Sequence, residues 1–249
     1  KLFKVGDRVS HASMPIGAYS EKHIMPENKL VPVPDGVSDE VASCVTLKGI
    51  TAEYLLHRAY PLKKGDKVLY HAAAGALGQI LCPWANSIGA EIIGTVGSKE
   101  KEEIAKKNGC HHVINYTDKD FVEEVEKIVG KNGIDVVYDG VGLKTFEGSI
   151  EVLKIRGMMV AFGNASGYVD TIDVKKHINA KGLFFTRPSI AHYTIEREEL
   201  LESAKKVFNA VLSGKFKIEI SKKYSLDEVK QAHEDLEGRL LTGPAVIKP

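Results

Sequence analysis

The segment that most restricts the fold of this chain begins with Lys67-Val68-Leu69-Tyr70-His71, an apolar run. It continues through the small residues Ala72-Ala73-Ala74-Gly75-Ala76-Leu77-Gly78 into Gln79-Ile80-Leu81, where an amphipathic pattern starts. The pattern predicts a buried strand, a tight turn and a helix start. A backbone that approaches a pyrophosphate closely can carry no bulk there, and the first amides of the following helix are unpaired donors at the positive end of a dipole. Against the dinucleotide fingerprint G-x-G-x-x-G, the chain has Ala73-x-Gly75-x-x-Gly78, with alanine at the first position. Alone this is a weak match, because turns of small residues between strand and helix occur in α/β proteins that bind no nucleotide.

The next strand strengthens the reading. Glu91-Ile92-Ile93-Gly94-Thr95-Val96 ends at Gly97-Ser98-Lys99-Glu100-Lys101, roughly twenty residues past Gly75, where the side chain that reads the ribose belongs. A site for the free 2′-hydroxyl carries Asp or Glu at that strand end. Here the strand ends in glycine and serine, and the Ser98 hydroxyl and Lys101 ammonium suit a 2′-phosphate. Glu100 falls between two lysines, inside what should be the next helix's first turn. A run of Lys and Glu is more often a solvated helix face, but its place after the second strand favours the phosphate. NADPH is therefore expected over NADH.

The alternation continues, with strands predicted over 113–116, 134–139, 157–163 and 182–187 and a helix over 121–129. Nearly continuous apolar strands separated by helices imply a parallel sheet covered on both faces, an α/β fold of the Rossmann, doubly wound type. Ligands in such sheets sit outside the carboxyl ends of the strands. That rule nominates Asp139-Gly140-Val141-Gly142, Gly163-Asn164 and Arg187-Pro188.

Two flanks differ from this core. Residues 1–48 are rich in Gly and Pro, with short strand-like runs at 7–10 and 30–34. From 189 onward a helix is predicted over 197–213, a strand over 218–220, a helix over 226–236 and a terminal strand over 245–247. Both flanks are assigned to one second domain, 1–48 with 189–249, interrupted by the Rossmann domain at 49–188. The chain starts at Lys1, without methionine and within a β-rich stretch, so an amino-terminal portion of that second domain is expected to be missing.

Composition excludes more than it selects. With 34 basic and 33 acidic residues, the net charge of +1 gives no bias toward nucleic acid or a membrane surface. No apolar run reaches spanning length and no signal peptide is visible, so a cytoplasmic location is the expectation. Cys44, Cys82 and Cys110 are dispersed without C-x-x-C spacing, which argues against a disulfide framework or a structural zinc lobe. They read as small core residues, and His71, His111 and His112 as structural side chains.

Several of these segments together resemble one family. They are 48–56, His71 to Gly78, Gly94-Thr95-Val96-Gly97-Ser98, Val113-Ile114-Asn115-Tyr116, 137–142, 162–167 and Thr186-Arg187-Pro188. The combination is similar to the NADPH-dependent quinone oxidoreductases, the zeta-crystallin-like, zinc-free branch of the medium-chain dehydrogenase/reductases. The resemblance implies a GroES-like catalytic domain, interrupted by the Rossmann domain and partly preceding Lys1, and a homodimer. By position it implies Thr51 facing the nicotinamide, Ala74, Gly75, Ala76, Leu77 and Gly78 at the pyrophosphate, and Gly97, Ser98, Lys101 and Tyr116 at the adenosine phosphate. Gly140, Phe162, Gly163, Asn164 and Arg187 would line the nicotinamide end, with Arg239 near the cofactor. As bland alternatives, Tyr116 is a packed aromatic and Asn164 a turn asparagine.

Two departures stand out. Gly75-Ala76-Leu77-Gly78 replaces the family's Gly-Gly-Val-Gly, adding a methyl near the phosphates, and Pro83 should kink the helix that follows. The implied activity is zinc-independent hydride transfer from NADPH to a quinone, with Thr51 or Arg187 as donor to the developing oxyanion. The alternatives are an NADPH-dependent enone or 2-alkenal reductase and a non-catalytic NADPH-binding protein, crystallin-like or RNA-binding. The chain lacks the basic and aromatic stripe that nucleic acid as a primary partner requires.

Overall fold

A computed structural model describes residues 1–12, 14–238 and 240–249. In it the chain divides into two units, Lys1–Glu53 with Ile190–Pro249, and Tyr54–Ser189. The first unit opens with strand β1 (Val9–Ser10), antiparallel to β2 (Val31–Pro32). The Arg8 guanidinium fastens this ribbon by donating to Asp39 Oδ1 at 2.6 Å and the Val37 carbonyl at 2.5 Å. Asp39 begins helix α1 (Asp39–Tyr54). Its apolar residues are spread around its circumference, so it shows no amphipathic period and sequence patterning did not predict it.

The second unit is built on strands β3 (Lys67–His71), β4 (Glu91–Val96), β5 (His112–Asn115), β6 (Ile134–Asp139), β7 (Leu153–Ala161) and β8 (Phe184–Thr186). They form one parallel sheet in the order β5-β4-β3-β6-β7-β8, the Rossmann arrangement expected from the alternation. Helices α2 (Gly78–Ile88), α3 (Lys99–Lys107), α4 (Phe121–Val129) and α5 (Phe146–Val152) connect the strands. Every residue of β6 is buried, as are all but the first of β3 and of β4. That burial explains their unbroken apolar character: strands covered on both faces have no polar side. The chain leaves β3 toward β4 and β5, then returns to β6 on β3's other flank. The strand order therefore reverses beside β3, where a ligand crevice is expected.

Two local expectations change, the start of β7 and the place of the strand that pairs with the terminal one. Strand β7 starts four residues earlier than predicted. Helix α5 runs straight into it, and the register opposite Ile134 and Val136 shifts, absorbed at Arg156, whose φ is +59°. Helix α2 continues through Pro83. Pro83 lies just beyond the first turn, so it withholds one donor, the one to the Gln79 carbonyl.

The chain then returns to the first unit with α6 (Ile190–Tyr193), α7 (Arg197–Leu212), β9 (Lys222–Ser225), α8 (Val229–Glu237) and β10 (Ala245–Lys248). The strand predicted at 218–220 is displaced to β9. There the register partners of β10 lie, Tyr224 facing Ile247, and Tyr224 buries its ring. Gly49 of α1 faces α7, where any Cβ would strike the Val207 side chain. The buried Glu53 carboxylate accepts from Ser203 at 2.6 Å and from Lys206 at 3.2 Å.

The β9–α8 corner carries an acid-sensitive cluster. Asp235 accepts from Lys222 Nζ at 2.7 Å, Tyr224 Oη at 2.5 Å and Gln231 Nε2 at 2.7 Å. These donors, the Lys222 ammonium first, hold its carboxyl at about 2. A folded pKa below the unfolded value of about 3.9 gives stability that is present above that value and is lost as pH falls through the folded one. A carboxyl titration by NMR is expected to place Asp235 near 2, and Asp235→Asn should flatten the acid limb of the stability curve between about pH 4 and pH 2. A midpoint near that of a free carboxyl would remove the cluster's contribution.

Candidate dinucleotide-binding site

The turn after β3 is tight and heavily braced. Ala72 adopts φ +62°, the Ala73 amide donates to the Thr95 carbonyl of β4 at 3.0 Å, and the Gly75 amide donates back to Ala72 at 2.9 Å. Gln79 donates its side-chain amide to the Ala74 carbonyl at 2.9 Å, and the Leu81 amide closes the first helical turn on Leu77 at 2.8 Å. The amides of Ala76 and Leu77 find no acceptor among the described residues, which leaves donors at the positive end of α2.

Glycine is required at Gly78 for contact between helix and strand. A Cβ there would overlap the Ala73 carbonyl oxygen and lie 2.7 Å from its carbon. The alanine at the fingerprint's first position is accommodated from across the sheet: a Cβ on Gly94 of β4 would stand 2.6 Å from the Ala73 methyl. The lost glycine of the turn is thus compensated by a glycine on the neighbouring strand. The result is a cradle of bare backbone at a helix N-terminus, whose donors and shape fit a pyrophosphate.

At the end of β4, Gly97 lies against Tyr116, whose hydroxyl a Cβ would meet at 2.6 Å. Asn115 shapes the Tyr116 turn by accepting from the Thr117 amide at 3.2 Å and its hydroxyl at 2.7 Å. The Tyr116 ring is left 45% exposed, enough to meet a ligand. Ser98 is the N-cap of α3, accepting from the Lys101 amide at 3.4 Å. The Ser98 hydroxyl beside Glu100 also holds that carboxyl below its ordinary range. Lys101 is half-buried at the same helix end.

At the end of β6, the fully buried Asp139 organises the loop. Its Oδ1 accepts from the Val141 and Gly142 amides at 2.7 and 3.0 Å; its Oδ2 accepts from Thr145 at 2.7 Å and Ser149 at 3.3 Å. Gly140 meets the Phe162 ring, which a Cβ would approach to 2.9 Å, and Gly163 stands close enough to Gly140 that its own Cβ would be 2.7 Å from the Gly140 Cα. The Phe162 and Gly163 amides donate to the Asp139 carbonyl, and Phe162 stacks on Tyr70 at 6.2 Å. Asn164 occupies a turn, its carbonyl accepting from Gly167 at 3.0 Å.

Thus Ala74 to Gly78, Gly97, Ser98, Lys101, Tyr116, Gly140, Phe162, Gly163 and Asn164 occupy the carboxyl ends of strands of one sheet, with exposed Arg187 following β8. Thr51 belongs to the other unit and donates to the Leu47 carbonyl of its own helix at 2.9 Å. Arg239 lies outside the described residues. Sequence reasoning missed Thr95, Thr145 and Ser149, polar residues in buried positions; only Thr95 carries a signal, its place inside an apolar run. Among the described residues no three of His, Cys, Asp and Glu gather as a metal-binding group.

Residues 76–213 match a family model described as zinc-binding dehydrogenase. The chain is 45% identical to a 2-haloacrylate reductase of a Burkholderia species, over 99% of this chain and 75% of that one. It is 42% identical to quinone oxidoreductase 1 of Escherichia coli, over 100% of this chain and 77% of that one. The crystal structure of Escherichia coli quinone oxidoreductase complexed with NADPH superimposes with a TM-score of 0.96 at 42% identity, covering 100% of this chain and 77% of the other.

Proposed function

The chain belongs to the NADPH-dependent quinone oxidoreductase family of the medium-chain dehydrogenase/reductases, and on that premise we propose that it reduces a quinone by hydride transfer from NADPH. The observation that carries this reading is the bare-backbone cradle from Ala72 to Gly78, followed across β4 by a lysine, a serine and a tyrosine where a ribose-reading carboxylate would otherwise stand. Bound NADPH supplies the hydride from its nicotinamide ring.

The protein supplies position and charge. The α2 amides take the pyrophosphate, and Lys101 with the Tyr116 and Ser98 hydroxyls takes the 2′-phosphate. Gly97 admits the Tyr116 hydroxyl by lacking a side chain. Gly140 and Phe162 to Asn164 form the surface for the nicotinamide half, its close approach secured by the two facing glycines. Thr51 and Arg187 are the proposed donors to the oxygen that gains charge as the quinone is reduced; solvent provides the final proton. Arg239 is retained as a proposed cofactor neighbour. A homodimer working in the cytoplasm completes the reading.

The likeness to a 2-haloacrylate reductase favours one second reading, reduction of an activated alkene with the same cofactor. The deciding experiment is NADPH consumption by the intact protein with a benzoquinone, a 2-alkenal and 2-chloroacrylate, each repeated with NADH. Turnover with the quinone and NADPH is expected. Preference for either alkene moves the protein to the second reading, and tight NADPH binding with no turnover favours a binding role. Sedimentation equilibrium tests the dimer.

A further inference from the structure

Beneath the cradle lies a buried chain of side chains that no step above uses. His71, the last residue of β3, is 1% exposed. Its Nδ1 lies 2.9 Å from Thr95 Oγ1 on β4 and its Nε2 lies 2.9 Å from Ser149 Oγ on α5. Ser149 in turn donates to Asp139 Oδ2 on β6, and the Phe121 ring meets the imidazole edge-on at 5.0 Å.

The direction of the chain follows from chemistry. Ser149 directs its one hydroxyl proton to Asp139 Oδ2, so the Ser149 oxygen accepts from His71 Nε2–H. Nδ1 is then left as an acceptor for the Thr95 hydroxyl. One neutral tautomer satisfies every link, and burial, which lowers the imidazole pKa, favours that neutral form.

The four members end or flank the strands that carry the site. Ala72, with its left-handed backbone, follows His71 directly. Thr95 holds the end of β3 and the turn after it, by its hydroxyl on His71 and by the carbonyl that receives the Ala73 amide. Asp139 holds the Val141 and Gly142 amides. We propose that His71, as its Nε2–H tautomer, is a positioning residue that locks the pyrophosphate turn to the β4 and β6 loops through Thr95, Ser149 and Asp139. The chain touches no reacting atom; it sets how well the cradle is formed before NADPH arrives. This rests on the assignment of NADPH to that cradle.

The test uses Thr95→Val, which keeps shape and removes the hydroxyl, beside Thr95→Ser, which keeps the hydroxyl. NADPH affinity is read from cofactor fluorescence, and KM and kcat from turnover of the intact protein. A buried imidazole nitrogen left without its donor should loosen the turn, so Thr95→Val is expected to raise the NADPH Kd and KM about tenfold with kcat changed less than about twofold. Thr95→Ser should stay within about threefold of the parent. Equal losses in both variants, or no loss in either, overturn the proposal. Should Thr95→Val not fold, ¹⁵N NMR of the parent's histidines decides. An Nε2-protonated His71 whose resonance moves on NADPH addition upholds the proposal; an Nδ1-protonated or NADPH-insensitive ring overturns it. Failure of the parent itself to bind NADPH instead overturns the cofactor assignment, and this proposal with it.

Discussion

Gly78→Val is expected to lower NADPH affinity by about 100-fold, the equivalent of roughly 3 kcal/mol. The added Cβ would clash with the Ala73 carbonyl oxygen and stand 2.9 Å from the Ala73 Cα. Backbone yields less readily than a side chain, and this backbone is pinned by the Ala73 amide on Thr95. Helix α2 must therefore withdraw from β3, carrying the Ala76 and Leu77 amides away from the proposed pyrophosphate position. Gly75→Ala offers a graded comparison: its Cβ would stand 3.1 Å from the Ala72 oxygen, so a loss nearer tenfold is expected, about 1.4 kcal/mol. Fluorescence titration with NADPH checks both. Parent-like affinity in Gly78→Val would show that the pyrophosphate sits elsewhere.

Lys101→Glu is expected to invert the cofactor preference. The ammonium is proposed to contribute a charge-assisted hydrogen bond to the 2′-phosphate, worth roughly 1.5–3 kcal/mol, and its replacement by a carboxylate adds repulsion. The ratio of kcat/KM for NADPH to that for NADH should fall about 100-fold, with the NADH value nearly unchanged, while Lys101→Ala should give about tenfold. Glu100→Gln should move the ratio slightly the other way. It removes a carboxylate beside the proposed phosphate position and frees the Ser98 hydroxyl. A ratio that shifts less than threefold in Lys101→Glu would place the 2′-phosphate away from α3.

These two substitutions differ in how far the sequence alone could suggest them. The proposal for Lys101 could be drawn from sequence because its position after a strand and its chemical type are local properties. Gly78 was legible as a motif residue, but the atom that requires it to be glycine was not. The tolerance for Ala73 was not legible at all, since it depends on Gly94, a residue on another strand.

What the sequence determined by itself was the alternation of buried strands and helices, the small-residue turn and the class of ligand it suits. Each of these follows from periodicity, steric size and charge within a few consecutive residues. The tertiary structure decided the rest. It set β9 at Lys222–Ser225 through its partner β10, and helix α1 without an amphipathic face. It also joined Thr95, His71, Ser149 and Asp139 into one hydrogen-bonded chain. The reason is physical: a strand's place in a sheet and a buried polar group's partner are fixed by groups far away along the chain, and no local pattern carries that pairing.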